Sequence, residues 1–177
     1  MPTTDELLRH FERQVALPWR DDLAPEYRVW ILHYEPLLER RIRGRLAEFE
    51  AIACRHGKGW RALDLAGLVG PWFASHPLFE GLAEQPDELP GLLSEFAAHA
   101  AKTVREKLSA IGPDEILALV GAGALFGLTR VSWLIEAVAP VIQGRLLVFF
   151  PGRYERGTYR LLDARDGWNY RATPIPP

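Results

Sequence analysis

Residues Ile116–Phe150 read ILALVGAGALFGLTRVSWLIEAVAPVIQGRLLVFF, and no other stretch of the chain limits its fold so tightly. Ile116–Val120 and Leu146–Phe150 are short, unbroken apolar runs without the polar alternation of a half-exposed sheet, so both predict strands buried on two faces. Between them Val131, Leu134, Ile135, Val138 and Ile142 recur at helical spacing and predict an amphipathic helix of about three turns. A strand, a glycine-rich turn, a helix and a second strand make one βαβ crossover, which requires the two strands to be parallel.

The turn itself invites a functional reading. Gly121, Gly123 and Gly127 form G-x-G-x-x-x-G between a strand and a helix. That is one residue longer than the dinucleotide fingerprint, and no acidic residue ends the next strand to hold a ribose. No G-x-x-x-x-G-K-[ST] phosphate loop occurs anywhere in the chain. The glycines therefore read as permitting close backbone approach at a tight turn, and no cofactor is expected.

Composition closes off further classes. The 177 residues fit one domain able to bury about 70% of its unfolded surface. A formal charge of −2 supplies no broad basic field for nucleic acid or anionic membrane, so direct DNA binding is not expected. Met1–Gln14 is polar and charged rather than a signal-peptide core, and no apolar run spans a bilayer. One cysteine, Cys54, excludes an intramolecular disulfide. A cytoplasmic protein is the expectation.

The remaining elements follow in order. Thr3 and Glu6 form a capping box ahead of Leu7, Leu8, Phe11 and Val15, which predicts a short N-terminal helix packed on the sheet. Leu17–Glu26 reads as a linker, giving a leading unit of residues 1–27 before an α/β domain at 28–177. Arg28–His33 predicts the first strand, and Leu38, Ile42, Leu46, Phe49 and Ala53 the buried stripe of one long helix ending near His56-Gly57. Its outer face carries Arg40, Arg41, Arg43 and Arg45 among glutamates, a mixed-charge surface. Trp60–Leu65 predicts a second strand, followed by a short helix through Pro71 and Trp72. Pro77–Pro90 predicts a surface excursion, and the residues from Leu92 to Leu108 a further amphipathic helix.

Beyond Phe150, Pro151-Gly152 is expected to stop the strand and Arg153–Gly157 to form a loop. Tyr159–Ala164 and Trp168–Ala172 predict a hairpin across Asp166-Gly167, with Pro174–Pro177 extended and mobile. The fold class is α/β: a single domain whose mixed, mostly parallel sheet has helices on both faces and ends in a C-terminal β-hairpin.

Ligands in open α/β sheets gather beyond the carboxyl ends of the parallel strands. Those ends offer His33, Glu35, Asp64, the glycine turn and Pro151–Tyr154, with Arg130 at the start of the crossover helix and Asp163 late in the hairpin. Glu35 and Asp64 make a catalytic carboxylate pair only if their strands are neighbours, and a strand-end aspartate commonly caps the next helix. The five histidines are scattered and there is no H-E-x-x-H, so no metal site is expected. There is no G-x-S-x-G nucleophile elbow, and Cys54 among apolar neighbours reads as a structural thiol. No residue is assigned a catalytic role. Trp133 lies off its helix's apolar stripe, and Tyr154, Tyr159, Trp168 and Tyr170 crowd the C-terminal third. Aromatics beside arginines are interface anchors as well as ordinary sheet material. Arg40, Arg43, Arg130, Arg153, Tyr154 and Trp168 are thus the candidate partner-binding residues.

The tract VGAGALFGLTRVSWLIEAVAP followed by RLLVFFPGRYERGTYRLLDARDGWNYRATPI resembles the BrxB family of BREX (bacteriophage exclusion) phage-defence proteins. RVWILHYEP, its arginine-rich helix and WRALDL extend the likeness to about Arg28–Ile175, with little pattern from Leu78 to Leu108. The resemblance implies a role beside a site-specific DNA methyltransferase, a large AAA-type ATPase and the phosphatase-like PglZ protein. It assigns no catalytic mechanism and carries no functional residues over. It implies a non-catalytic adaptor that contacts another component, PglZ foremost, with a homodimer also open. The competing reading is a degenerate P-loop-like nucleotide- or DNA-binding domain of the same system, which rests on the βα order and the glycine turn alone.

Overall fold

The two apolar runs lie side by side at the centre of a mostly parallel sheet. In this computed structural model, which describes residues 2–162, 164 and 168–177, the sheet strands are β1 (Val29–Tyr34), β2 (Gly59–Asp64), β3 (Glu115–Val120), β4 (Arg145–Glu155), β5 (Thr158–Leu161) and β6 (Thr173–Ile175). The order is β2-β3-β4-β1-β6, with β5 antiparallel on the far end of β4. Ladders β2–β3, β3–β4, β4–β1 and β1–β6 are all parallel. Every residue of β1, and Ile116–Val120 of β3, is buried, as runs that face neither side to water demand.

Alternation along these strands feeds two separate apolar layers. Val29, Ile31, Leu117, Leu119, Leu146, Val148 and Phe150 point to one face, where α5 (Leu89–Ser109) and α6 (Val131–Val138) cover them. Trp30, Leu32, Tyr34, Ile116, Ala118, Val120, Leu147 and Phe149 point to the other, beneath α1 (Thr4–Ala16) and α3 (Leu46–Arg55). The Thr3–Glu6 capping box closes the first turn of α1, whose Leu7, Phe11 and Val15 enter that second layer. Residues 17–28 are held as well. The Arg28 guanidinium donates to the carbonyls of Asp21, Leu23, Ile142 and Gln143. Trp19 meets Lys58 Nζ at 4.1 Å and the buried Arg145 guanidinium at 4.7 Å.

Several expectations change. The single long helix after β1 is two: α2 (Glu39–Arg43) and α3, separated at Gly44-Arg45, where glycine's poor helix propensity makes a break inexpensive. The short helix after β2, α4 (Ala66–Ser75), holds Pro71 inside it, and α5 opens with Pro90 in its first turn, where a missing N–H is harmless. Pro151-Gly152 does not stop β4. Pro151 occupies the last pair of the β1 ladder, a strand-end position that tolerates proline, and the chain runs on to Glu155. The hairpin turns at Arg156-Gly157, and the Asp166-Gly167 turn lies outside the described residues. Trp168 contributes one antiparallel bridge, to Tyr159, rather than a full strand.

The tail, expected to be mobile, is the sixth strand. Thr173–Ile175 pairs with Trp30–Leu32 and buries Ile175 to 2% exposure against the α1 layer. Ile175→Ala should cost about 2–4 kcal/mol through lost burial and an incompletely filled cavity. Urea unfolding monitored by fluorescence checks this: the midpoint should fall while the slope stays constant.

Candidate functional site

Because β1 to β4 run parallel, the segments that follow β1, β2 and β3 emerge on one edge with the extension of β4. The crossover leaving β1 passes to the α3 face, whereas the one leaving β3 passes to the α6 face. Their divergence opens a crevice over the end of β4, the position where open α/β sheets take ligands. A cleft of about 280 Å³ lies there, lined by Pro36, Glu39, Arg43, Gly121, Pro151 and Leu162 among others.

One guanidinium organises its floor. Arg43 Nε donates to Glu39 Oε1 at 2.9 Å, one turn back on α2, and Nη1 and Nη2 grip Asp64 at 2.8 and 3.0 Å. Asp64 Oδ1 also accepts from the Ala66 N–H at 3.0 Å, two residues on, so this carboxylate holds the first residue of α4 in an Asx turn. The buried Tyr34 hydroxyl donates to Glu39 Oε2 at 2.5 Å. Hydrogen bonds from Arg43 hold the Asp64 carboxyl below its usual range, and burial, followed by the Glu39 charge, pushes the Tyr34 phenol well above its own. Gly121 follows β3 at φ +74, and a Cβ there would stand 2.5 Å from both Asp64 Oδ1 and Arg43 Nη2. Gly121 therefore leaves room for this ion network, whereas Gly123 faces Pro151 and a Cβ at Gly127 would meet nothing within 4 Å. Two carboxylates to one guanidinium leave it net negative, which opposes a phosphate at the turn.

Glu35 and Asp64 are not a pair. β3 and β4 lie between their strands, and each carboxylate takes its own arginine: Arg153 for Glu35 at 3.5 Å, Arg43 for Asp64. Cys54 is exposed on α3 rather than structural, because it falls off the Phe49, Ile52 and Ala53 stripe. Among the described residues no group of three or more His, Cys, Asp or Glu is placed to hold a metal ion.

The candidate arginines converge on the carboxyl edge. Arg40 and Arg43 follow β1, Arg130 stands at the N-cap of α6 after β3, and Arg153 lies on the extension of β4. Arg40, Arg130 and Arg153 are exposed, whereas Arg43 is half-buried and committed to its carboxylates. Tyr154 and Trp168 sit in a stack instead: Tyr154 lies 4.5 Å and Trp168 4.9 Å from Tyr159, with Phe150 beneath at 5.9 Å. Both are partly buried against the core. Three surface residues escaped the sequence reading. Leu37 is 94% exposed and Phe126 50% exposed. Arg160 lies directly opposite Arg153 in the hairpin register and lines with it a second cleft of about 520 Å³ beside Glu35 and Leu37. Leu37 was visible as an apolar residue one place off the helical stripe, but Arg160 required knowing where the hairpin turns.

The arrangement is that of a doubly wound α/β domain whose switch-point crevice is floored by its own ion network and whose carboxyl edge is rich in arginine. A family described as BREX protein BrxB matches residues 80–175, more than half of the chain. The chain belongs to the BrxB family and is a component of a BREX phage-defence system. The matched span includes α5 together with the glycine turn and the β4–β5 hairpin. No curated protein and no solved structure matches the chain. No described helix is long and apolar enough to cross a membrane.

Gly121→Ala should destabilise the fold by roughly 1–3 kcal/mol, from left-handed backbone strain and the contact with Asp64. A Tm lowered by several degrees with retained far-UV circular dichroism would show it. His33, 8% exposed on β1, contacts the Pro176 carbonyl through Nε2 at 3.0 Å, while its buried Nδ1 has no hydrogen-bond partner among the described residues. Burial lowers its pKa below the usual 6.5, so the unfolded chain binds the proton more readily than the folded one. Stability should thus decline as pH falls below about 6.5. His33→Gln, which cannot take up that proton, should flatten the decline between about pH 7 and pH 5 in urea midpoints measured across pH.

Proposed function

We propose that this chain is a non-catalytic adaptor of its BREX system that binds the phosphatase-like PglZ protein through its carboxyl edge. One observation carries the reading: exposed arginines following β1 and β3 and on the β4 extension gather on the edge that also displays Leu37 at 94% exposure. Arginine is enriched among the few residues that carry most of the energy of protein interfaces. Burying Leu37 alone makes about 1.5–3 kcal/mol available, more than a solvent-exposed ion pair typically returns. Pairing of Arg153 with Glu35, and the carboxylates around Arg43, interrupt the positive field and suit a patterned protein surface better than a nucleic-acid backbone. Membership of the BrxB family supports a partner within the BREX system, and among those components we take PglZ.

Arg130→Glu and Arg153→Glu, made separately, should each reduce recovery of the PglZ-like protein with the tagged chain from cells carrying the native operon. Both side chains are exposed, so thermal stability should change little. Unchanged recovery with both variants would remove this edge from the interface. Recovery of the wild-type chain alone would remove PglZ as its partner.

A further inference from the structure

A second surface, which starts beside the arginine edge but faces outward from α4, differs from it in charge. Residues 62–101 contain Asp64, Glu80, Glu84, Asp87, Glu88 and Glu95, while all 21 lysines and arginines of the chain lie outside this stretch. Within it Leu65–Phe79 carries no formally charged side chain, and α4 accounts for most of that run. A helix apolar on all sides is ordinarily buried. This one has no buried residue. Leu68, Val69, Trp72 and Phe73 rest half-buried on the core, but the outer side is open: a Cβ at Gly67 or Gly70 would meet nothing within 4 Å.

The segment that follows extends the apolar face. Phe79 stacks on Phe73 at 6.0 Å and remains 47% exposed, next to Leu78 at 41%, while Leu89 at the start of α5 is 40% exposed. Trp72 and Phe73 anchor the face on Phe96 of α5 at 5.4 and 5.3 Å, and His76 is tied to Glu95 at 2.9 Å. Its rim is acidic and unneutralised. Glu80, Glu84, Asp87 and Glu88 are exposed, and among the described residues none forms an ion pair, whereas Asp5, Glu12, Glu35, Glu48, Asp64 and Asp114 each hold a Lys or Arg. Exposed aromatic and leucine side chains bounded by charge of a single sign mark a protein interaction surface. The sign excludes nucleic acid and anionic lipid.

We propose that the outer face of α4 and the 76–89 segment docks a basic amphipathic helix of a protein partner. Leu78, Phe79 and the small residues of α4 receive its apolar stripe, and Glu80, Glu84, Asp87 and Glu88 meet its lysines and arginines. Helix-in-groove recognition of this kind uses apolar anchors for affinity and rim charge for choice of partner. The surface is separate from the carboxyl-edge arginines and does not depend on PglZ being their partner.

The test uses the full chain and two fluorescein-labelled peptides of about 18 residues, five helical turns, sharing one leucine stripe with either lysine or glutamate on the polar face. Fluorescence anisotropy should show saturable binding of the lysine peptide at least tenfold tighter than that of the glutamate peptide, weakening as salt is added. Phe79→Glu should reduce that affinity at least tenfold. The combined Glu84→Lys, Asp87→Lys and Glu88→Lys variant should invert the preference. Arg153→Glu should leave binding unchanged, which separates this surface from the other, and unaltered melting curves exclude misfolding as the cause. Equal binding of both peptides, no binding, or affinity indifferent to Phe79 and the rim carboxylates would overturn the proposal. So would a concentration-dependent dimer in sedimentation that Phe79→Glu abolishes, because the occupant would then be a second copy.

Discussion

Burial of β1, β3 and β4 on both faces is the constraint from which the rest of the structure follows. A strand such as Ile116–Val120 has no face fit for water, so covering one side of the sheet leaves the other as costly as before. At about 1.5–3 kcal/mol per fully buried large apolar side chain, two complete layers outweigh every surface ion pair in the molecule. That balance explains why α1 and the chain's last residues are recruited. Phe11 supplies a T-shaped contact to Trp60 at 6.0 Å, and Ile175 fills space under β1, so segments that look dispensable in sequence complete the second layer. It also explains why the linker is anchored by Arg28 and Trp19 on the amino edge: α1 contributes only if its approach is fixed.

Much of the fold was legible because its determinants are local. Unbroken apolar runs, helical spacing from Val131 and the Thr3–Glu6 box each declare themselves within a few residues, and they place β3, β4, α1 and the start of α6, which ends at Val138 because Pro140 follows, short of the expected Ile142. The failures share a different cause. Thr173–Ile175 becomes a strand because β1 leaves an edge beside a gap that Ile175 fits, a fact held by the sheet and not by the sequence Thr-Pro-Ile. β4 continues through Pro151 because the β1 ladder ends there, which local rules about proline do not contain. The helix break at Gly44 allows Arg43 to close α2 facing Asp64, a residue 21 positions away.

The same division applies to the carboxyl edge. That arginines after β1, after β3 and on β4 share one edge needs only the knowledge that the strands are parallel, and the βαβ reading provides it. What those arginines do needs coordinates. Arg43 looked like one of four equivalent charges, yet it is the one that reaches the crevice, joining Glu39 to Asp64 and, through those carboxylates, the Tyr34 hydroxyl and the Ala66 N–H. Gly121 likewise resembled part of a nucleotide fingerprint. Its role is the reverse: it lends its missing side chain to a carboxylate, so a site that usually attracts phosphate is here filled with negative charge. Close approach holds at Gly121 and at Gly123 but not at Gly127, where a Cβ would meet nothing within 4 Å, and at Gly121 the approaching group decides the chemistry.

Charge is also divided along the chain in a way the net value of −2 conceals. An acidic, arginine-free span carries α4 and its apolar face at the β2 side of the sheet, while the β4–β5 hairpin and α2 carry arginines around Leu37. An even scatter of the 21 basic residues would not leave 62–101 without one, although the arginine edge keeps Glu35, Glu39 and Asp64 among its arginines. Nor does stability call for it, because solvent-exposed charges contribute little to folding and unpaired like charges oppose it. A protein that only had to fold would intersperse them. An acidic rim around Leu78 and Phe79 and a mixed-charge, arginine-rich edge around Leu37 are different surfaces, and we assign them unlike partners. The ion network at Arg43 matters to that arrangement: through Asp64 and Ala66 it fixes the start of α4 to the edge where the arginines stand.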